Sequence, residues 1–216
     1  MNGRFHDRRE AGRLLAERLA GRYAGQGDVV VLALPRGGVP VAREIAERLG
    51  APLDVVVVRK LGLPSQPELA MGAIATGGVR VLHDEVAELV EPEVLEEVTR
   101  REREELERRE RAIRGARAPQ EVEGKVVILV DDGVATGSTM RAAIDAIRAR
   151  GARRLVLAVP TAPVATRDEL AREVEEIECL MTPEPFVAIG GWYEDFSQLT
   201  DEEVREHLDL ARGGGS

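Results

Sequence analysis

GKVVILVDDGVATGSTM, Gly124 to Met140, runs five apolar residues, Val126 to Val130, into two adjacent aspartates and then into a string of small residues. An unbroken apolar run predicts a strand covered on both faces, as in a parallel sheet. In an open parallel sheet, ligands sit beyond the carboxyl ends of the strands, beside the helices that follow. Asp131 and Asp132 are therefore expected at a ligand edge. The turn GVATGST lets backbone N–H groups approach an anion closely, and the next helix adds free amides and the positive end of its dipole. Thr136, Ser138 and Thr139 add hydroxyl donors without bulk. Carboxylates beside a phosphate would repel it, so they must serve another part of the same ligand. The adjacent hydroxyls of a ribose suit them, and a sugar phosphate satisfies both halves.

Working outward, DVVVLALP (28–35) and LDVVVVRK (53–60) read as two further buried strands, and RLVLAVP (154–160) as a fourth. RGGVPVAREIAERLG leads from the first strand into a helix that stops at Gly50. In the helix after the motif, Met140, Ala143, Ile144 and Ile147 share one face at i, i+3, i+4 and i+7. The N-terminal FHDRREAGRLLAERLAGRY is helical in composition, with Leu14, Leu15 and Leu19 for its apolar side. LGLPSQPELAMGAIATGG, punctuated by Gly and Pro, reads as a loop with a short hairpin. From about Asp84 to Arg114 a charged stretch pairs Glu with Arg at helical spacings and reads as a solvated helix. Strands alternating with helices predict a three-layer α/β fold around a mostly parallel sheet. One domain is expected over 1–210, with its core at about 28–160, and residues 211–216 as a flexible tail.

Composition limits the function classes. A formal net charge of -9 opposes a general nucleic-acid surface, so any phosphate site must be local. The single cysteine, Cys179, cannot form an internal disulfide and reads as a small buried residue. No apolar run approaches a membrane span, which makes the cytoplasm the expected compartment. Neither a Walker Gly-x-x-x-x-Gly-Lys nor a Gly-x-Gly-x-x-Gly after a strand is present. Ser138 has no nucleophile-elbow pattern around it, and His6, His83 and His207 lie near no motif.

VVILVDDGVATGSTM closely resembles the ribose-phosphate motif of the type I phosphoribosyltransferases, which use 5-phosphoribosyl 1-diphosphate. The resemblance spans Asp28 to about Pro160. It implies that Asp131 and Asp132 hold the ribose hydroxyls, and that Ala135, Thr136, Gly137, Ser138 and Thr139 hold the 5'-phosphate. LALPRGG resembles the family's pyrophosphate loop, with Arg36 and the amides of Gly37 and Gly38 facing diphosphate across a cis Pro35–Arg36 bond. VVVVRKLGLP resembles the second-strand end of adenine-type members, where Arg59 and Lys60 also face diphosphate. The family further implies Mg²⁺ held mainly by the substrate, with Asp131 and Asp132 reaching it through water, and a homodimer.

The expected reaction is transfer of the phosphoribosyl group to a nitrogen acceptor, with Asp131, Asp132, Arg59 and Lys60 as the catalytic set. Family members acting on 6-oxopurines carry a further aspartate where this sequence has Ala135, which points away from hypoxanthine and guanine. Glu68 reads either as an acid/base group or as a solvated loop carboxylate. A small C-terminal/N-terminal hood is expected over the acceptor, with its candidate at about 176–210, where PEPFVAIGGWYEDFSQ concentrates the aromatics, as stacking faces or as a small sealing core. A lid is expected at Leu61 to Pro67, with the charged helix as scaffold or dimer contact. Two other outcomes stay open: a regulator that binds the ligand without turnover, and an enzyme using water or an unusual acceptor.

Overall fold

The structure, a computed structural model, describes residues 3–87 and 90–213. Helix α1 (Arg8–Tyr23) starts where Asp7 Oδ1 accepts the N–H of Glu10, a side-chain cap for an otherwise orphaned donor. Strand β1 (Val29–Ala33), fully buried, leads into α2 (Gly38–Leu49), which ends with Gly50 in the left-handed conformation. After β2 (Leu53–Val55) come β3 (Val58–Leu63), β4 (Gln66–Ala75) and β5 (Val79–Leu82). Two helices follow, α3 (Asp84–Ala87) and α4 (Pro92–Arg114), the latter with proline in its first turn, where the missing N–H costs nothing. The motif strand β6 (Val126–Val130) and α5 (Ser138–Ala149) precede β7 (Arg154–Thr161), α6 (Val164–Leu170), β8 (Glu176–Met181) and α7 (Asp201–Gly213).

The main sheet has the order β2-β1-β6-β7-β8, every pair parallel. Its two faces hold separate cores. Val29, Val31 and Ala33 of β1 pack with α1, α2 and α7, whereas Val30 and Leu32 pack with α5 and α6. The helix after β1 and the helix after β6 therefore cover opposite faces, and the seam between these strands is the topological switch point, where open α/β sheets bind ligands.

Three sequence expectations need correction. LDVVVVRK is not one strand. The chain leaves the main sheet after Val55, because Thr76 captures Val57 through both its amide and its hydroxyl and starts a second sheet there. Arg59 and Lys60 consequently lie inside β3 and not at the end of a main-sheet strand. The loop with a short hairpin is a three-stranded antiparallel sheet, β3-β4-β5, so the expected lid at 61–67 is a strand end and a tight turn at Pro64–Ser65. Finally, Glu176–Met181, assigned to the hood, is the fifth strand of the main sheet, and the core runs past Pro160 to Met181. Alternation of charged and apolar residues in EIECLM hid this edge strand from a search for continuous apolar runs.

The charged stretch is interrupted between α3 and α4, and α4 shows the expected Glu–Arg pairs, among them Arg100 with Glu97 and Glu104. Its C-terminal end is bolted to the main sheet. Arg114, 3% exposed, donates to Asp54 Oδ1 (3.0 Å) and to the Val55 carbonyl (2.7 Å), while Asp54 also accepts from the amides of Val55 and Gln120. Among the described residues no helix is long and apolar enough to cross a membrane.

Candidate active site

Pairing of β1 with β6, in the register Ala33 to Val130, places the loops after both strands side by side, and the Leu34 amide continues the ladder to the Val130 carbonyl. The Pro35–Arg36 bond is cis, as the resemblance implies. The contact between the loops is too close for side chains. A Cβ on Gly37 would lie 1.9 Å from Asp132 Oδ2, and one on Gly38 would lie 2.7 Å from the Val130 carbonyl oxygen. Two glycines are thus required for the loop after β1 to pack against the acidic pair. The Gly38 amide, expected to face diphosphate, instead donates to the Leu34 carbonyl (3.1 Å), which closes the turn into α2.

The motif turn is oriented by its carbonyls. Thr166 Oγ1 donates to the Ala135 carbonyl (2.8 Å), and Arg141 Nη1 donates to that of Thr136 (3.1 Å) while Glu169 and Glu173 hold the same guanidinium. With the carbonyls tied outward, the amides of Ala135 to Thr139 have no protein acceptor among the described residues. Gly137, at φ 77°, makes the left-handed step into α5 that a residue with a Cβ would resist. Ala135, Thr136 and Thr139 are exposed, so this row of donors opens to solvent at the positive end of α5.

The acidic pair is less open than the sequence suggested. Asp131 is half-buried and Asp132 is 8% exposed, so the expected ligand edge is largely enclosed at the pair. Burial pushes the Asp131 carboxyl well above the usual range, and the charge of Asp132 pushes it further. Burial also raises Asp132, but there the guanidinium of Arg8 opposes it, with Nε 2.7 Å from Oδ2. Arg8 in turn donates to the Ser197 carbonyl and lies 3.9 Å over the Phe196 ring. Tyr193 donates its hydroxyl to the Asp132 carbonyl (2.6 Å), and burial drives its own pKa up. Nothing local in the sequence marked Arg8 or Tyr193, because they stand far from Asp132 along the chain.

A cleft of about 750 Å³ opens beside Thr139 and the Pro35–Arg36 turn, bounded by β3 and α4. Arg36, Arg59 and Lys60 all line it, so the structure does bring the expected diphosphate cations together. Arg101, Arg108 and Arg109 of α4 line it too. The charged helix is therefore a wall of the cleft as well as a scaffold. Two carboxylates already face the cations: Glu102 accepts from Arg59 Nε (2.9 Å) and Nη2 (2.5 Å), and Asp201 stands 4.0 Å from Arg36. Asp131, Asp132, Thr136 and Ser138 do not line this cleft, which lies on the Arg36 side of the pair. The side chain of Glu68 lies outside the described residues.

The hood candidate draws on both ends of the chain, the N-terminal segment at Phe5 and the segment around Tyr193. Phe5 pairs with Tyr193, its amide donates to the Trp192 carbonyl, and its carbonyl accepts from Glu194. Phe5, Tyr193 and Phe196 stack with centroids 5.4 and 5.1 Å apart, a sealing core, while Phe186 and Trp192 form a separate pair at 6.5 Å. Cys179 is partly buried on β8, with its thiol near the Met181 carbonyl.

Residues 3–181 match the family model described as phosphoribosyl transferase domain. The Mycobacterium tuberculosis protein Rv0571c, provisionally named a phosphoribosyl transferase, is 48% identical over 97% of this chain, which spans 48% of that relative. The chain thus covers about half the length of that curated relative. A bifunctional protein PyrR from Chloroflexus aurantiacus is 37% identical over 57% of this chain and 65% of its own length. Among solved structures, TT1426 from Thermus thermophilus superposes with a TM-score of 0.86 at 45% identity, covering 95% of this chain and 97% of that one.

Proposed function

From the premise that this chain belongs to the phosphoribosyl transferase domain family, we propose that it transfers the 5-phosphoribosyl group of 5-phosphoribosyl 1-diphosphate to a nitrogen acceptor. The carrying observation is the row of unpartnered amides from Ala135 to Thr139 meeting the acidic pair at the β1–β6 switch point. The 5'-phosphate would lie on those amides and on the hydroxyls of Thr136, Ser138 and Thr139. Asp131 and Asp132 would accept the ribose hydroxyls, and the diphosphate would point into the arginine-lined cleft.

In the reaction the bond from the anomeric carbon to diphosphate oxygen breaks, and its electron pair leaves with diphosphate. The acceptor nitrogen forms the new bond and gives up a proton. Arg36, Arg59 and Lys60 stabilise the departing charge, and the acidic pair stabilises the positive charge that develops on the sugar. Mg²⁺ suits this donor set: the two raised carboxyls would be favoured as anions beside a cation, which supplies charge neutralisation at the diphosphate when bound. A hood seated over the acceptor would exclude water that otherwise hydrolyses the activated sugar.

The test is calorimetry with 5-phosphoribosyl 1-diphosphate and Mg²⁺, followed by a diphosphate-release assay across pyrimidine, purine and non-base nitrogen acceptors. Binding and acceptor-dependent release are expected. Binding without release under every acceptor would favour a ligand-sensing role, and no binding by folded protein would overturn the reading.

A further inference from the structure

Resting on the ribose role proposed for the acidic pair, we infer that Arg8 is a positioning residue that couples the ribose site to the hood. Asp132 is held from two sides at once. Its carboxylate takes the Arg8 guanidinium through Oδ2, and its main-chain carbonyl takes the Tyr193 hydroxyl. Arg8 and Tyr193 are themselves parts of one unit, because the Phe5–Tyr193 bridge joins the N-terminal segment to the hood, and the Asp195 amide donates to the His6 carbonyl one residue further on. The guanidinium then crosses to the hood's far end, over Phe196 and onto the Ser197 carbonyl.

Both partners of the pair are nearly sealed, with side chains 12% and 11% exposed, which makes this contact stronger than a surface ion pair. Arg8 engages Oδ2, so the orientation of the whole Asp132 carboxylate is set by the guanidinium. A ligand that pulls on that carboxylate therefore pulls on the guanidinium. Since arginine is a planar fork with several donors, it can hold carboxylate, ring and carbonyl together; lysine can match only the charge. The hood thus senses whether the ribose site is filled, and the site is shaped only when the hood is seated.

Arg8→Ala, Arg8→Lys and Tyr193→Phe test the coupling. Calorimetry measures affinity for 5-phosphoribosyl 1-diphosphate with Mg²⁺ and, separately, for inorganic diphosphate. Hydrogen exchange follows residues 186–197 with and without the sugar ligand. In the wild-type chain the ligand should protect the hood. Arg8→Ala should bind the sugar ligand about 10- to 150-fold more weakly, the range for a lost charged hydrogen bond, and lose the hood response. Its affinity for inorganic diphosphate should stay unchanged, which a merely unfolded variant would not show. Arg8→Lys should recover part of the affinity without the hood response. Tyr193→Phe, which keeps the ion pair, should bind the ligand yet protect the hood less. Wild-type affinity together with a wild-type hood response in Arg8→Ala, or in Tyr193→Phe an undiminished response, would overturn the coupling. Failure of the wild-type chain to bind the sugar ligand would overturn the proposed function itself.

Discussion

Arg114→Met should destabilise the fold strongly, although Arg114 touches no expected ligand. The side chain is 3% exposed and Asp54 only 1%, so neither charge has water to fall back on. Removing the guanidinium takes away Asp54's cationic partner and the donor to the Val55 carbonyl, and leaves the carboxylate with the amides of Val55 and Gln120. Breaking one side of a buried pair costs about 3 to 5 kcal/mol. The two remaining amides argue for the lower end. For a domain of this size about 2 to 4 °C of melting temperature is lost per kcal/mol, so a drop of roughly 6 to 20 °C follows. Urea unfolding of the chain, monitored by circular dichroism at unchanged slope, reads the difference directly. Asp54→Leu in the same protein should recover part of the loss, since removing both charges also removes the unpaired one. A loss below 1 kcal/mol in Arg114→Met would refute the reasoning, because it would mean that water or a rearranged Arg150 replaces the partner without cost.

The remaining predictions concern the site. Asp131→Asn should abolish productive binding of the sugar ligand yet raise the melting temperature of the free protein near neutral pH. Its folded-state carboxyl titrates above its unfolded value, so the folded state binds more protons between those values and stability falls as pH rises through them; a melting curve that is equally steep in pH for both proteins would contradict this. Gly37→Ala should cost about 1 to 3 kcal/mol of stability and weaken ligand binding, because its Cβ would enter the Asp132 carboxylate; crystallography of the variant with both loops unmoved would exclude it. Glu102→Gln should tighten inorganic diphosphate binding about two- to fivefold in low salt, since the anion no longer competes for Arg59; unchanged or weaker binding by calorimetry would show that Glu102 aims Arg59 instead of parking it.

The parallel α/β core was legible because continuous apolar strands and 3.6-residue helix periods are local patterns: VVVLA, VVILV and RLVLAVP, with α2 and α5 between them, appear where expected. The turn after β6 with its unpartnered amides was legible for the same reason, since small residues after a buried strand announce a close backbone turn. Two things were not. Whether LDVVVVRK continues or breaks depends on Thr76, which captures Val57 from 19 residues away, and whether EIECLM is a strand depends on finding the edge of β7. The pairing of charges was the second. A carboxylate reads as free in a sequence, but its partner is chosen by packing: Arg8 reaches Asp132 across 124 residues, Glu102 reaches Arg59 across 43, and Arg114 reaches Asp54 across 60. Apolar burial is decided mainly by what each residue is, and so it is written along the chain; charge pairing is decided by which side chains the finished sheet and its helices bring within about 3 Å, and only the tertiary structure does that.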